Sequence, residues 1–542
     1  MSQNKAQNSA LRLLNATLMG KKLLASTAIT VAGVLAASSS AYAVGLDETP
    51  TGGTVVAGQS TITYGQGSMT VDQTTDRSVI NWNTFNIGEN AGAVYNQPGV
   101  NSLSVNRVTG ADPSKILGTL RSNGKIMIID PNGVFFSKTA KVDVGGIIAT
   151  TGELDAMNQD QLMAGNKFQI SNIGANPDAK IENAGRITAA QGGLVAFVAP
   201  WVSNSGFINA KLGSVTLAAG AKMTVDLAGD NLISIAVNDK LQKALVENSG
   251  TIDAQGGRVV MSANAAKGIV DEVINMSGVI KANSFSQKGG KIILGGGSSG
   301  VVKVSGKIEA NGETGGGEIE IKGENIFVTE SGELHADGVT CGNGGAINIV
   351  AQNGLIYGGL ATAKGGALWG NGGFVDTSGL EWVDIWGGVD ASAPNGLAGT
   401  WLIDPRDLVI TTAASAAVDT GGTNGSSDNP FNPNNSTLFS LDQRSKLNVT
   451  TVNNALNGGT DVHITTVGSP DKLLQDGTIT VDANISKTGG DSAVLYMTAA
   501  GSIVVNSGKT ISSTSDTLGI DFTAAKNIDI KGTINTNGGN VK

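Results

Sequence analysis

The chain has 542 residues, more than a single compact hydrophobic core usually holds, so an ordinary one-core globule is a poor expectation. Glycine accounts for 77 residues, whereas only 15% of residues are charged and 4% are aromatic. The formal net charge is −9, and an acidic chain without a basic stripe is a poor candidate for a nucleic-acid-binding protein.

The first 43 residues are typical of a signal peptide. Four basic residues and no acidic residue precede an apolar segment that runs from Leu23 to Ala37. Ala41-Tyr42-Ala43 then forms an A-x-A site, which predicts cleavage after Ala43. A membrane anchor is the weaker alternative because the apolar segment is short. We therefore expect a secreted protein.

Short strands are predicted from residue 44 to about residue 154. Four segments alternate apolar and polar residues or are briefly apolar, and turn signals such as Asn123-Gly124 separate them. These segments are 61–64, 78–82, 102–105 and 125–129. Residues 152–172 break the pattern, which predicts a short helix or an excursion from the strands.

A repeated phrase organises the chain from about residue 180 to residue 400. Each copy has a small polar residue, a glycine and an alternating apolar segment, followed by a Gly-Gly pair and another strand. The glycines of successive copies are Gly185, Gly206, Gly250, Gly278, Gly306 and Gly332. Such spacing is typical of stacked repeats, and the period of two within each copy predicts a parallel β-helix with asparagine rows stacked at its corners. Glycine and asparagine suit corners that need a positive φ.

The carboxy-terminal part is less regular. Residues 411–447 are rich in Ala, Thr, Gly, Ser, Asn and Pro, which predicts a linker or long loop. Strand patterning resumes near Asn448, so residues 448–542 are expected to be further β-rich repeats. Because 537–542 begin another repeat without an atypical cap, we expect the natural protein to continue beyond Lys542.

Acidic and aromatic residues between positions 369 and 390 raise an enzyme as an alternative, because two carboxylates beside a stacking tryptophan can hydrolyse a glycoside. The candidates are Asp376, Glu381, Asp384 and Asp390 with Trp369, Trp382 and Trp386. We prefer the interpretation that they decorate the outer face of the stack and that the protein is not an enzyme.

Other catalytic and metal-binding arrangements are poorly supported. His335 and His463 are the only histidines and lie in separate regions, which disfavours a histidine triad or a multi-histidine metal site. Cys341 is the only cysteine, so no intramolecular disulfide can form, and its place in a corner does not indicate a nucleophile. No cofactor is predicted.

One segment carries a family resemblance. The residues from Ile128 to Thr150, and above all Asp130-Pro131-Asn132-Gly133, resemble the secretion-domain core of the filamentous haemagglutinin family, exoproteins of two-partner secretion in Gram-negative bacteria. Further matching phrases lie at 95–98, 106–110, 196–200, 215–220 and 399–405. Two features depart from the family pattern. Asp130 replaces the first asparagine of the family's Asn-Pro-Asn-Gly, and its Asn-Pro-Asn-Leu motif has no clear match, with residues 176–178 as the nearest remnant.

The resemblance implies an all-β chain folded as a right-handed parallel β-helix. It implies a secretion domain over 44–300, which further repeats continue over 301–410. An outer-membrane transporter would recognise the chain through periplasmic domains, and the exported protein would act as an adhesin at the bacterial surface, with host or bacterial ligands. The candidate recognition residues are Asn96, Gln97, Pro98, Asp130, Pro131, Asn132 and Gly133. For the last four we expect the primary role to be structural, as a β-turn. The alternatives are a secreted β-helical carbohydrate-active enzyme and the delivery stalk of a contact-dependent toxin or haemolysin.

Overall fold

The computed structural model describes residues 44–226, 233–234, 241, 243–263, 265, 272–284, 289–412, 445–466 and 476–542. The predicted cleavage site at Ala41 and Ala43 lies outside these residues, as does most of the predicted linker. Residues 46–542 form one compact unit.

Three columns of parallel strands build this unit, and the chain visits them in turn, which is the arrangement of the predicted parallel β-helix. The strands of the first sheet are Arg77–Trp82, Leu103–Val108, Lys125–Ile129, Gly146–Thr150, Leu194–Val198, Ser214–Ala219, Arg258–Ala263, Lys291–Gly295, Phe374–Gly379, Thr400–Ile403, Asp461–Thr465, Ala493–Ala499 and Leu518–Ala524. The strands of the second sheet are Ser114–Ile116, Gly133–Phe136, Lys180–Asn183, Trp201–Asn204, Leu245–Asn248, Glu272–Met276, Val301–Val304, Trp382–Ile385, Leu408–Thr411, Ser445–Asn448, Ile479–Val481, Ile503–Val505 and Ile528–Ile530. Glu318–Val328 and Ala346–Tyr357 run through both of these sheets.

The third sheet closes each turn of the chain. Its strands are Ser68–Gln73, Gly92–Asn96, Thr119–Ser122, Lys141–Val144, Arg186–Ala189, Phe207–Asn209, Thr251–Asp253, Val279–Lys281, Lys307–Glu309, Glu333–His335, Leu360–Thr362 and Gly388–Asp390, followed after a helix by Ile485–Lys487, Thr510–Ser513 and Thr533–Asn535. Two antiparallel strands cover the amino-terminal end: Thr54–Ala57 pairs with Arg77–Trp82, and Ser60–Gly65 pairs with Ser68–Gln73.

The core lies between the three sheets and follows from the alternation of side chains along each strand. Val215, Val259, Ile292, Ile319 and Ile347 are register partners in successive turns of the first sheet, and all are fully buried. Burial of each such side chain contributes about 1.5–3 kcal/mol, and the contribution repeats from turn to turn.

The repeated glycines have a different cause from the one predicted. Gly206, Gly250 and Gly278 do not adopt positive φ. A Cβ at Gly250 or Gly278 would lie 2.2 or 2.1 Å from the carbonyl oxygen of the repeat glycine one turn earlier. Close stacking of backbones, rather than turn conformation, therefore requires glycine here.

The predicted asparagine row is confirmed. Asn183 Nδ2 donates to Asn204 Oδ1 at 2.7 Å, and Asn204 Nδ2 donates to Asn248 Oδ1 at 2.7 Å. All three side chains are buried, so the row satisfies amide groups that would otherwise be costly to bury.

The predicted excursion near residues 152–172 is confirmed as a small layer outside the first sheet. It contains helix α1 (Ala156–Ala164) and an antiparallel sheet of Phe168–Ile170, Met223–Val225 and Ile233–Ser234. Leu162 and Phe168 are buried against outward-facing first-sheet residues such as Met127. The layer thus covers an apolar outer face.

The strand pattern predicted from Asn448 onward is wrong over its first nine residues, which form helix α2 (Val449–Asn457). The Asn448 side chain accepts a hydrogen bond from Thr450 N, which favours a helix start. Val449, Val452 and Leu456 then bury one helical face. Neither helix in the described part of the chain is long and apolar enough to cross a membrane.

Candidate functional site

The candidate recognition motif forms a tight turn between a first-sheet and a second-sheet strand. Gly133 N donates to Asp130 O at 3.0 Å, so Pro131 and Asn132 occupy the two central turn positions. Gly133 has φ +116°, and a Cβ there would lie 2.5 Å from the Lys180 carbonyl oxygen. Only glycine fits this position, both for its dihedral angle and for the approach of the next turn of chain.

The Asp130 carboxylate holds the turn together from inside. It is fully buried, and its oxygens accept hydrogen bonds from Ser114 N (2.8 Å), Ser114 Oγ (2.7 Å) and Asn132 N (2.9 Å). Burial raises the pKa of Asp130, and these hydrogen bonds act in the opposite direction. An ionised carboxylate only accepts hydrogen bonds, so it suits this set of donors, which explains how aspartate serves where the family pattern has asparagine.

Two of the phrases that carried the resemblance meet at this turn, together with the 176–178 segment. Asn132 Nδ2 donates to Gly110 O at 3.0 Å, which joins the turn to the 106–110 phrase. Asn176 Nδ2 donates to Pro131 O at 3.4 Å. The 176–178 segment therefore lies beside the turn.

The other candidate motif lies in a corner between the third and first sheets. Gln97 is buried. Its backbone N–H donates to Asn123 Oδ1 at 2.7 Å, and its Nε2 donates to Gln73 Oε1 at 3.2 Å and to Lys125 O at 3.3 Å. Asn96 and Pro98 on either side are exposed. Gln97 thus bridges three turns of the stack, and only its neighbours can meet a partner directly.

The two candidate motifs do not form one site. Gln97 lies at the start of strand Lys125–Ile129, and Asp130 follows its end, so they occupy opposite corners of the same turn. At about 3.3 Å per residue, a five-residue strand separates them by about 15 Å. A partner that touches both must extend along this face of the stack.

A buried polar network between them was not predicted. Asn106 Oδ1 accepts hydrogen bonds from Trp82 Nε1 at 2.9 Å and Tyr95 OH at 2.7 Å, and all three side chains are buried. Burial raises the pKa of Tyr95 well above its usual value, so its hydroxyl remains a donor. Asn106 belongs to a recognised phrase, but its partners come from distant strands. Ser114, which binds Asp130, had no signal in the sequence.

The carboxylates considered for sugar chemistry do not converge. Asp376 lies in the first sheet, Asp384 in the second and Asp390 in the third, so a single turn of chain places them on three faces. Glu381 is paired with Arg406 at 2.8 Å. Trp382 and Trp386 pack against the same small cluster of Val301, Phe327 and Ile356, whereas Trp369 is exposed in a loop.

The Asp376 carboxyl has a raised pKa. Burial raises its pKa to about 6, the Ser378 hydroxyl that donates to it acts against this, and the nearby Asp404 carboxylate adds to the rise. A carboxyl with this pKa could serve as a general acid, so it is the feature that most favours the enzyme alternative.

The histidines and the cysteine have local partners. His335 Nδ1 shares a hydrogen bond with Thr362 Oγ1 at 2.8 Å, and the His463 ring lies 5.2 Å from that of Tyr496. Cys341 is half-buried, with Sγ 3.4 Å from Glu313 O. Within the described residues, no three His, Cys, Asp or Glu side chains are grouped to hold a metal ion.

Comparison with known proteins agrees with this architecture. Residues 47–310 match the family described as the TPS secretion domain. The crystal structure of the HMW1 secretion domain from Haemophilus influenzae is similar, with a TM-score of 0.57 and 25% identity over 67% of this chain and 96% of that one. Residues 47–310 are therefore similar in sequence and in fold to the secretion domains of two-partner secretion exoproteins.

Two curated relatives are more similar in sequence. A Heme/hemopexin-binding protein of Haemophilus influenzae strain Rd is 32% identical over 268 residues, and a second protein of that name from the same species is 27% identical over 247 residues. These alignments cover 49% and 42% of this chain but only 29% and 26% of the relatives. The chain thus matches less than a third of their length.

Proposed function

We propose that this chain is the exported exoprotein of a two-partner secretion system and acts as an adhesin-like stalk at the surface of a Gram-negative bacterium. The observation that carries the proposal is the secretion domain over residues 47–310, in a fold whose later turns repeat the same stack. Contacts between adjacent turns are mostly local in sequence, so such a stack can fold progressively as the chain leaves a pore.

A secretion domain of this family implies an outer-membrane transporter as partner. We place the first contact of its periplasmic domains at strand Ser60–Gly65. Among the described residues this strand pairs only with Ser68–Gln73, which leaves its other edge open to an added strand. In this proposal the Asp130–Gly133 turn and Gln97 act through the shape they impose, while Asn96 and Pro98 are available for direct contact.

Co-expression in a Gram-negative host tests export. We expect the chain in the medium only when a matching transporter with its periplasmic domains is present, and secretion through a transporter that lacks those domains would overturn the proposed recognition. Gln59 O accepts from Thr74 N, so the alternation of the ladder turns the Tyr64 N–H toward the open edge. Tyr64→Pro would remove this backbone N–H, and Thr188→Pro would remove one in a third-sheet strand that is paired on both sides.

Thr188→Pro is expected to harm folding, so it shows how export fails when the stack does not form. The edge-strand variant is informative only if its fold is as stable as that of the unmodified chain. Tyr64→Pro that folds, as judged by circular dichroism, yet fails to bind the purified periplasmic domains would support the edge-strand contact. Full binding by Tyr64→Pro would refute it without affecting the broader export proposal.

We further propose that the chain has no catalytic activity of its own. The dispersion of Asp376, Asp384 and Asp390 over three faces supports this, because glycoside hydrolysis needs two carboxylates on either side of one bond. Sugar release from bacterial and host glycans is the test. Activity that disappears in Asp376→Asn would establish the enzyme alternative.

The adhesin's ligand is to be sought at host and bacterial surfaces. The names of the two Haemophilus relatives make heme and hemopexin the first soluble ligands to test. Binding of the secreted chain to host cells, with and without these competitors, would separate an adhesin from a heme-acquisition protein.

A further inference from the structure

One strand of the second sheet is stacked out of chain order. Leu408–Thr411 lies between Ser445–Asn448 and Ile479–Val481, both of which come later in the chain. Ile410 is the register partner of Leu447 on one side and of Val481 on the other. The strand beneath Ser445–Asn448 is Trp382–Ile385, with Ile385 opposite Leu447. A later segment is thus inserted below an earlier one.

The rest of the described stack keeps chain order. In the first sheet, Thr400–Ile403 receives Asp461–Thr465 directly, with Trp401 opposite Val462. In the second sheet, order returns above the insertion, where Ile479–Val481 pairs with Ile503–Val505. The exception is confined to one level of one sheet.

Polar contacts of long sequence separation hold the displaced strand in place. Asp407, just before it, is buried, and its Oδ1 accepts hydrogen bonds from Gly477 N at 2.8 Å and Thr478 N at 2.9 Å. Leu408 N also donates to Thr478 O at 3.1 Å, and Asp482 N donates to Ile410 O at 2.9 Å. The strand is therefore bonded from above by residues about 70 positions later.

Helix α2 completes the same level on the side of the third sheet. Thr451 Oγ1 donates to Trp386 O of the turn below at 2.9 Å. Above the helix, Asn457 Oδ1 accepts hydrogen bonds from Thr488 N at 2.7 Å and Gly489 N at 3.2 Å. Side chains here replace the backbone ladder that joins turns elsewhere.

We propose that the level formed by Leu408–Thr411, Ser445–Asn448 and Ile479–Val481 causes a pause in the folding of the stack. In chain-ordered turns each new strand finds its lower neighbour already in place. Leu408–Thr411 has no lower neighbour until residues 445–448 arrive, and its upper hydrogen bonds need residues 477–482. Stepwise folding from the amino-terminal side therefore stops after Thr400–Ile403, and the remaining level closes in one cooperative step. This inference follows from topology and does not depend on the proposed export.

Pulsed hydrogen exchange during refolding of the full chain tests the pause. We expect amides of Phe374–Gly379 to become protected first, and those of Leu408–Thr411 to become protected in the same later phase as Ser445–Asn448 and Ile479–Val481. Protection of Leu408–Thr411 together with Phe374–Gly379, ahead of Ser445–Asn448, would overturn the proposal.

Native-state hydrogen exchange of Asp407→Ala supplies an independent measurement. Loss of two hydrogen bonds to a buried carboxylate should accelerate exchange at least about tenfold, both in Leu408–Thr411 and in Ile479–Val481, because they open as one unit. Acceleration at only one of the two strands would contradict a cooperative unit. The matched control is Asp337→Ala, whose Oδ1 accepts from Lys364 N at 2.7 Å between turns in chain order; its effect should stay in that corner.

Discussion

Successive turns of chain are joined differently in two regions of the molecule. One is the regular stack between residues 180 and 390, and the other is the junction formed by Leu408–Thr411, Ser445–Asn448, helix α2 and Ile479–Val481. In the regular stack, backbone ladders join each turn to the next, and glycines such as Gly250 and Gly278 let the backbones approach closely. In the junction, strand pairing is supplemented by the side chains of Asp407, Thr451 and Asn457, which make further hydrogen bonds between levels.

This difference separates two sources of stability. A stack with nearest-neighbour contacts gains stability turn by turn, so a local fault stays largely local. A level whose strands come from segments about 70 residues apart is stable only as a whole, so a fault at one end should reach the other. Substitutions in each region can therefore test whether a fault stays local in the stack and spreads in the junction.

The largest effect is expected in the glycine column of the regular stack. Gly278→Ala would place a Cβ 2.1 Å from the Gly250 carbonyl oxygen, which forces two turns of backbone apart. We expect a loss of about 3 kcal/mol in the free energy of unfolding of these turns, measured by urea titration and hydrogen exchange. Gly295→Ala is the control, since a Cβ there meets nothing within 4 Å. Equal effects of the two variants would refute the close-approach explanation.

The next effect concerns the Asp130 turn, where a polar side chain supports the regular part of the chain. Asp130→Ala leaves the buried N–H and hydroxyl of Ser114 without their acceptor, and should cost about 2–3 kcal/mol in thermal or urea unfolding. Asp143→Ala, at an exposed third-sheet position, should be nearly neutral. An Asp130→Ala protein that is fully stable but no longer exported would show that the carboxylate is itself recognised.

The sequence could predict the regular stack better than the junction. The strand columns and the asparagine row of 183, 204 and 248 were predictable because their residues repeat at intervals that the stack preserves. The order of Leu408–Thr411 was not, since its partners depend on contacts about 70 residues away that no local pattern records. Helix α2 had a usable signal in Asn448 and in the spacing of Val449, Val452 and Leu456.

The candidate site also has a part that the sequence could predict and a part that it could not. The turn at Asp130–Gly133 was predictable from proline and glycine, which constrain the backbone by themselves. Its support by Ser114 and the bridging role of Gln97 depend on side chains from neighbouring turns, and the exact register of the stack must be known before they can be paired. Family resemblance located the motifs but not their partners.

A smaller loss of stability is expected in helix α2, and it tests whether the junction opens as one unit. Asn457→Ala removes the acceptor of Thr488 N and Gly489 N and should cost about 1–2 kcal/mol. Asn454→Ala, three residues earlier on the exposed face of the same helix, has the same change in helix propensity and should have little effect. Hydrogen exchange should show Asn457→Ala opening Leu408–Thr411 as well as the helix. A response limited to the residues around 488 would mean that the junction is not one unit.

The smallest effect lies where the two regions meet, at Asp376. Burial raises its folded-state pKa to about 6 from a usual value near 4, so the folded chain holds this proton more tightly than the unfolded chain. Its contribution to stability is therefore fully present below about pH 4 and is lost as the pH rises through about 6. Between pH 5 and pH 7 the loss is about 1 kcal/mol, which Asp376→Asn should abolish because the amide does not ionise. Comparison of the pH dependence of unfolding in the two proteins isolates Asp376 from the other titrating groups. Because Asp404 beyond Thr400–Ile403 adds to the raised pKa, loss of this pH dependence in Asp404→Asn as well would show that the stack and the junction are already coupled through charge at their boundary.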